Sequence, residues 1–284
     1  RRIDMKRRIG TQNALILTLA LATSTGLGVG LGMVPGSLVA RAATPGRAIM
    51  EKVAQARKLA GSEAVVEMRI INAKGQARIR KLSMATKLFD GGKTEKRIYR
   101  FLSPPDVEGT GVLVFDYEDK ADDVWIFLPA LRKTRRVVSA QRSKKFMGSE
   151  FSYGDLNIPE LDDFEYSTVR EESAGGEPCW VIDAKPKTQK TANAEGYSRK
   201  TYWVSKVTHA VRKGLYYDLD GELLKELQTR DIELLDRKNG RYRSKFMEMT
   251  NKQNGRKSEF KTEKVTFAPD TKDDYFTTRF LERT

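Results

Sequence analysis

Residues 64–80 read AVVEMRIINAKGQARIR, and apolar and charged side chains alternate along this stretch with a period of two. Val66, Met68 and Ile70 are separated by charged residues, and the alternation resumes after a turn at Gly75. Because successive side chains of a strand point to opposite faces, the pattern predicts a hairpin with one buried face.

The same period continues over most of the remaining chain. Asp, Asn and Gly clusters separate the segments, and these residue types tolerate the backbone of tight turns. The predicted strands beyond the first hairpin are 82–89, 94–102, 110–118, 122–128, 133–139, 163–172, 178–185, 199–206, 209–218, 222–235, 241–250 and 257–267. About a dozen short strands without helices between them predict a curled antiparallel sheet or barrel rather than an α/β fold.

One amphipathic helix precedes the strands. In residues 46–60, Ile49, Val53 and Ala56 recur at helical spacing, and Gly61 supplies a stop. The apolar side of this helix predicts that it packs against another element.

Residues 1–42 have the composition of an export signal. Arg7 and Arg8 precede the uncharged residues 9–40, and the segment ends in small residues around Ala42. This order predicts a signal peptide over residues 1–42, cleaved near Ala42. The alternative is a retained membrane anchor, since the uncharged run is long enough to span a bilayer. We expect the roughly 240 residues that follow, 43–284, to form one domain.

The composition disfavours catalysis. Cys179 is the only cysteine and His209 the only histidine, and neither lies in a recognisable motif. An internal disulfide is therefore excluded, and we expect no metal, no cofactor and no enzymatic activity. The formal net charge is +14, and the predicted signal peptide holds +5 of it, which leaves +9 on residues 43–284. A basic surface of this size suits anionic membranes, acidic proteins or nucleic acid, and export disfavours nucleic acid.

Two motifs carry a family resemblance: WIFLPALRKTRR at residues 125–136 and FMGSEFSYGDL at residues 146–156. Their order resembles the outer-membrane lipoprotein-sorting proteins of the LolA-like superfamily, by pattern over most of residues 47–283. The resemblance implies a mainly β fold with a few α-helices. Its strongly curved antiparallel sheet would form an incomplete, half-open β-barrel covered by helices, with an apolar cavity for acyl chains.

The alternating strands supply candidates for the cavity lining. These are Val66, Met68, Ile70, Leu82, Met84, Ile98, Phe101, Val112, Val114, Trp125 and Phe127. The same residues would also fill the core of an ordinary closed barrel, so this alternative stays open.

Two further segments have candidate roles. A lid over the cavity is expected at Phe146, Met147, Gly148, Phe151, Tyr153 and Gly154, unless this loop is simply packed under the sheet. A basic rim for lipid headgroups or an acidic partner is expected at Arg132, Lys133, Arg135 and Arg136. Its alternative is a solvated strand edge that prevents aggregation.

The resemblance implies the function of a periplasmic carrier. It would bind the acyl chains of lipoproteins and deliver them toward the outer membrane, with an inner-membrane transporter and an outer-membrane acceptor as partners. The alternatives are a carrier or accessory protein for another lipid, linked to a resistance-nodulation-division type export pump, and a structural envelope protein with a filled core.

Overall fold

The computed structural model describes residues 46–118, 120–137, 142–157 and 161–283. The predicted signal peptide, residues 1–42, lies outside these ranges. None of the helices within them combines the length and apolar composition that a membrane crossing requires.

Strands dominate the described residues. They are β1 (Gly61–Ile71), β2 (Ala77–Phe89), β3 (Thr94–Ser103), β4 (Gly111–Tyr117), β5 (Asp123–Leu128), β6 (Lys133–Val137), β7 (Phe164–Ala174), β8 (Glu177–Pro186), β9 (Arg199–Ser205), β10 (Val211–Tyr217), β11 (Leu223–Asp236), β12 (Arg241–Asn251) and β13 (Lys257–Phe267). Four short α-helices accompany them: α1 (Gly46–Arg57), α2 (Tyr153–Leu156), α3 (Gln189–Glu195) and α4 (Thr278–Leu281). The predicted strands are confirmed, apart from shifts of a residue or two at most ends and the fusion of 77–80 and 82–89 into the single strand β2.

All thirteen strands form one antiparallel sheet in the order β6-β5-β4-β3-β2-β1-β13-β12-β11-β10-β9-β8-β7. The sheet consists of two meanders, β1–β6 and β7–β13, which are joined where β1 pairs with β13. Because β6 and β7 end the order without pairing to each other, the sheet is open. The predicted mainly β, unclosed antiparallel architecture is therefore confirmed.

The sheet is bent around one of its faces. Tyr99 on β3 and Tyr202 on β9 line the same cavity, although seven strand-to-strand steps separate their strands. In a flat sheet these strands would lie about 34 Å apart, at a spacing of ~4.8 Å per step. The concave face therefore wraps around a shared core.

That core takes up side chains from both meanders and from α1. Met68, Phe101 and Met249 are fully buried in it, as are Ile49 and Met50 of the helix. The buried face of α1 follows the predicted helical spacing. The helix ends at Arg57, three residues before the predicted end. There Arg243 on β12 donates hydrogen bonds to the carbonyls of Ala56 and Arg57, which replace bonds that a longer helix would form.

A second core lies on the opposite face of β2–β5. The C-terminal segment packs there, with Phe276 and Leu281 buried against Ile98, Leu113 and Phe127. Phe276 also contacts Phe89 edge to face, at 5.6 Å between ring centroids. The C-terminal residues therefore hold the outer face of the first meander.

We expect Phe276→Ala to lower the free energy of unfolding by about 3 kcal/mol, since the substitution leaves a cavity in this second core. Urea denaturation followed by circular dichroism measures the change. Leu219→Ala is the control, because Leu219 is exposed and its truncation should have an effect near zero. Equal stability of the two variants would show that the C-terminal segment does not hold the sheet.

Candidate ligand cavity

A cavity of about 280 Å³ lies inside the curved sheet. Its walls come from α1, from the inner faces of β1–β3 and β9–β13, and from the segment 142–157. The strands β1, β2 and β3 contribute alternate residues, as the pleat requires, whereas β12 contributes the consecutive residues 242–245 as well as Met247 and Met249.

Much of the wall is apolar and flexible. Four of the chain's eight methionines line it, namely Met50, Met84, Met247 and Met249. Three of the residues predicted for the lining, Val66, Leu82 and Met84, are cavity residues, and Phe260 and Val265 of β13 complete this side.

The structure places the other predicted lining residues elsewhere. Met68, Ile70, Phe101, Val112 and Val114 lie in the same core but away from the cavity wall. Ile98, Trp125 and Phe127 lie on the opposite face, in the core that the C-terminal segment closes.

The segment expected to act as a lid is partly built into the core. Phe146 and Phe151 are buried and line the cavity, and both pack against Phe260. Tyr153 lies edge-on to Phe146, at 5.5 Å between centroids. Gly148 adopts a φ of 81° with open space beside its Cα, so the turn between the two phenylalanines faces outward.

Glu150 anchors this segment to the sheet. Its side chain is completely buried and pairs with Lys145 at 2.7 Å and Arg256 at 3.1 Å. Asn251 donates to the same carboxylate, and the Glu150 backbone N–H donates to the Ser258 hydroxyl at 2.9 Å. Two cations and one side-chain hydrogen bond are the compensation that a buried carboxylate needs, and the bond to Ser258 holds the Glu150 backbone.

One end of the cavity is charged. Arg97 of β3 donates to Asp116 at 2.7 Å and to the Asn157 side chain at 2.6 Å, and Asn157 donates in turn to Asp122 at 2.5 Å. Burial, and after it the neighbouring Asp116, raises the pKa of Asp122 to about 6. This network fixes the end of segment 142–157 against the first meander.

A second network fixes the same segment against the other meander. Tyr197 donates to Asp155 at 3.0 Å, and Lys225 donates to the Tyr197 hydroxyl at 2.8 Å. Nearby, Lys200 pairs with Glu195 at 2.6 Å. Burial alone would lower the pKa of Lys200, but Glu195 raises it above its ordinary value, so this lysine is charged.

Sequence reasoning missed these inward-facing charges. In β3, Glu95 and Arg97 share a face with Tyr99 and Phe101, whereas Ile98 points to the other side. Tyr99 and Phe101, two residues apart, were the available signal that this face of β3 is buried. Because Glu95 and Arg97 lie on the same face, the pattern could have indicated a cavity with a polar end.

An open polar groove of about 1500 Å³ adjoins the cavity. It lies beside α1 and α3 and shares Glu95, Arg142 and Glu195 with the cavity wall. The groove therefore meets the charged end of the cavity rather than its apolar side.

The residues of the expected basic rim lie at one free edge of the sheet. Arg132, Lys133, Arg135 and Arg136 are exposed on and beside β6, which pairs only with β5. Arg136 forms an ion pair with Asp123, and Thr134 donates to Glu282 at 2.6 Å. Three of the four cations thus face solvent without an ion pair among the described residues.

His209 and Cys179 lie on different faces of the second meander. His209 lines the cavity and stacks on Trp180 at 6.0 Å, whereas Cys179 is buried with Val181 and Trp203 in a small separate cluster. No group of three or more potential metal ligands forms within the described ranges. The arrangement that the residues do form is an apolar chamber with one charged end, which suits an amphiphile.

Comparisons with known proteins agree with this architecture. A family model described as an uncharacterized protein matches residues 93–283. A solved structure named as a candidate outer membrane lipoprotein-sorting protein domain from Vibrio parahaemolyticus has 28% identity and a TM-score of 0.76, covering 84% of this chain and 98% of its own. Curated proteins give no match.

Two further solved structures are similar. A protein from Desulfovibrio piger, assigned to a family defined by a domain of unknown function, has 28% identity and a TM-score of 0.75 over 83% of this chain and 97% of its own. A LolA superfamily protein from Nitrosomonas europaea shares the fold, with 19% identity and a TM-score of 0.62 over 84% of this chain and 100% of its own. The chain therefore belongs to the matched family of uncharacterized proteins, and it shares its fold with the LolA superfamily protein.

Proposed function

We propose that the mature protein, residues 43–284, is a single-domain periplasmic carrier that binds the acyl chains of lipoproteins or lipids and delivers them toward the outer membrane. The observation that carries the proposal is the cavity itself, whose apolar wall lies beside a charged end. The similarity to a lipoprotein-sorting protein domain supports the same reading. An inner-membrane donor and an outer-membrane acceptor complete the proposed route.

Burial of an acyl chain supplies enough free energy for such a carrier. Each methylene removed from water contributes about 0.8 kcal/mol, so most of a 16-carbon chain gains on the order of 10 kcal/mol before the costs of association. No catalytic group is needed for this step.

Cargo entry requires the cavity to expand. Its volume of about 280 Å³ lies just below the range of about 300–1,000 Å³ usual for ligand sites. Phe146 and Phe151 occupy the space beside Phe260, and we assign them as the side chains that an acyl chain displaces. The segment 146–154, with α1, is then the cover of the cavity, turning about Gly148 and Gly154.

The basic edge at β6 is the proposed contact with an anionic membrane surface. Arg132, Lys133 and Arg135 project from the outermost strand of the open sheet. Basic residues near an anionic surface contribute about 1 kcal/mol each. The edge would thus hold the carrier at a membrane while cargo transfers.

Protein purified from its own periplasm should carry a lipid or acylated peptide, detectable by native mass spectrometry and lipid extraction. Met84→Trp should reduce uptake of a fluorescent fatty acid at least tenfold, because the indole fills the cavity. Ser83→Trp, on the other face of the same strand, is the matched control and should bind normally. A lipid-free protein that takes up no fatty acid would favour a structural role.

Reversal of Arg132, Lys133 and Arg135 to glutamate should weaken binding to phosphatidylglycerol vesicles at least tenfold, measured by co-sedimentation against phosphatidylcholine vesicles. The control reverses Lys74, Arg78 and Lys238, which are exposed away from β6 and give the same change in net charge. Equal binding by both triple variants would leave β6 with the role of a protected strand edge.

Asp122 gives a pH-dependent test of the network that holds Asn157. Since its pKa is raised in the folded state, the folded protein retains the proton more strongly between about pH 4 and 6, and stability from this group falls as pH rises. Asp122→Asn should therefore gain stability relative to the native protein by about 2 kcal/mol across that window. The free energy of unfolding is measured as a function of pH. Asp220→Asn, in an exposed turn, is the control. If the curve of Asp122→Asn runs parallel to that of the native protein, the raised pKa is contradicted.

A further inference from the structure

Three arginines meet at the charged end of the cavity. Arg57 ends α1, Arg97 lies on β3 and Arg243 lies on β12, and all three line the cavity. They come from separate elements, so the curvature of the sheet and the position of the helix bring them together.

Their carboxylate partners are unequally distributed. Arg97 pairs with Asp116 at 2.7 Å, and Glu95 lies 3.7 Å from its Nε. Arg57 and Arg243 form no ion pair with a carboxylate in the described part of the chain. Glu95 and Asp116 are thus two negative charges near three positive ones.

Main-chain carbonyls satisfy part of the donor capacity of the two remaining arginines. Arg57 donates to the carbonyls of Leu156 and Asn157, both at 3.0 Å. Arg243 donates to the carbonyls of Ala56, Arg57 and Tyr242. Because a guanidinium has five N–H groups, these contacts leave donors on each arginine for another acceptor.

Carbonyls do not neutralise the charge. The end of α1 offers Arg243 a partial negative charge of about half a unit at most. Burial, together with Arg97, lowers the pKa of Arg57. Burial also lowers the pKa of Arg243 to about 10, with Arg57 and Arg97 contributing, although Glu95 opposes both shifts. A structural role in ending α1 and holding residues 156–157 explains the hydrogen bonds but leaves this excess of positive charge unexplained.

The excess belongs to these two arginines rather than to the whole cavity wall. The other four basic residues of the described lining each have a carboxylate partner: Arg97, Arg142, Lys200 and Lys245. An uncompensated cation beside an apolar chamber is costly unless an anion accompanies it. An anion that binds these two arginines has to be compatible with the apolar residues Met247, Leu227 and Val265, which line the same cavity.

We propose that Arg57 and Arg243 bind the acidic headgroup, a carboxylate or phosphate, of an amphiphile whose hydrocarbon chain lies in the apolar part of the cavity. The proposal rests on the acyl-chain carrier function and narrows its cargo. A fully acylated lipoprotein N-terminus carries no acidic group at its lipid end, so the site favours an anionic lipid.

The test compares three ligands that share one chain: dodecanoate, dodecyl phosphate and dodecanol. Binding to the full mature protein is measured by isothermal titration calorimetry at pH 7.4, below the critical micelle concentrations. Because hydrogen bonds to charged groups are strong, at least one of the two anions should bind about tenfold or more tightly than the alcohol. Which anion binds tighter distinguishes a carboxylate site from a phosphate site.

Variants then locate the effect. Arg57→Gln and Arg243→Gln should each lose the preference for the anions and keep the affinity for dodecanol, whereas Arg243→Lys should retain part of the preference. Arg78→Gln, at an exposed position on β2, is the control and should behave as the native protein does. Thermal unfolding checks that each variant is folded, and the comparison of ligands on the native protein does not depend on any variant.

The outcomes separate the two proposals. Equal binding of all three ligands to the native protein, or a preference that survives in both glutamine variants, would overturn the headgroup site and leave the carrier function standing. If none of the three ligands binds, both the proposed acyl-chain carrier function and the proposed headgroup site are contradicted.

Discussion

The pairing of β1 with β13 is the interaction on which the rest of the structure depends. Each meander is a continuous run of neighbouring strands, and the hydrogen bonds between the first and last strands make them one sheet. Since β6 and β7 do not pair with each other, the sheet does not close into a barrel, and it buries an apolar face by curving around it. The core, the cavity and the meeting of distant charges all follow from that curvature.

The curvature also explains why charged side chains occur inside. Arg97 on one meander and Lys200 on the other face the same interior, which two apolar walls alone could have filled. Each has a carboxylate at hydrogen-bonding distance, Asp116 for Arg97 and Glu195 for Lys200. Breaking one such buried pair costs several kcal/mol, whereas an apolar replacement of both partners is often neutral. Stability alone therefore does not require these ion pairs, which is consistent with a role at the cavity end.

The sequence predicted the strands well because their signal is local. Period-two alternation and Gly-containing turns do not depend on what a strand contacts. The face to which each side chain points was harder to predict, since buried cores lie on both faces of the first meander. Ile98 and Phe101 were assigned to one lining, yet an odd spacing places them on opposite faces of a regular strand, and the C-terminal segment covers the Ile98 side.

The charged residues of the cavity could not be assigned from local pattern. In the sequence, Arg57 has the pattern of a solvated residue on a helix, and Arg243 that of a residue on the polar face of a strand. Their role becomes visible only in the fold, where the end of α1 contacts β12. Their proximity depends on how α1 lies against the sheet, which no period in the sequence encodes. The helix α3 was also missed, because it lies between strands and Ala192 and Glu195 are its only buried residues.

The two ends of the cavity differ in how tightly they constrain a ligand. Methionine side chains have three rotatable bonds and adapt to differently shaped partners, and Met50, Met84, Met247 and Met249 line the chamber. At the other end, main-chain carbonyls hold the guanidinium groups of Arg57 and Arg243 in place. In the proposed carrier, such a cavity would tolerate variation in the hydrocarbon chain and discriminate at the polar group, because only the polar end presents donors with a fixed position.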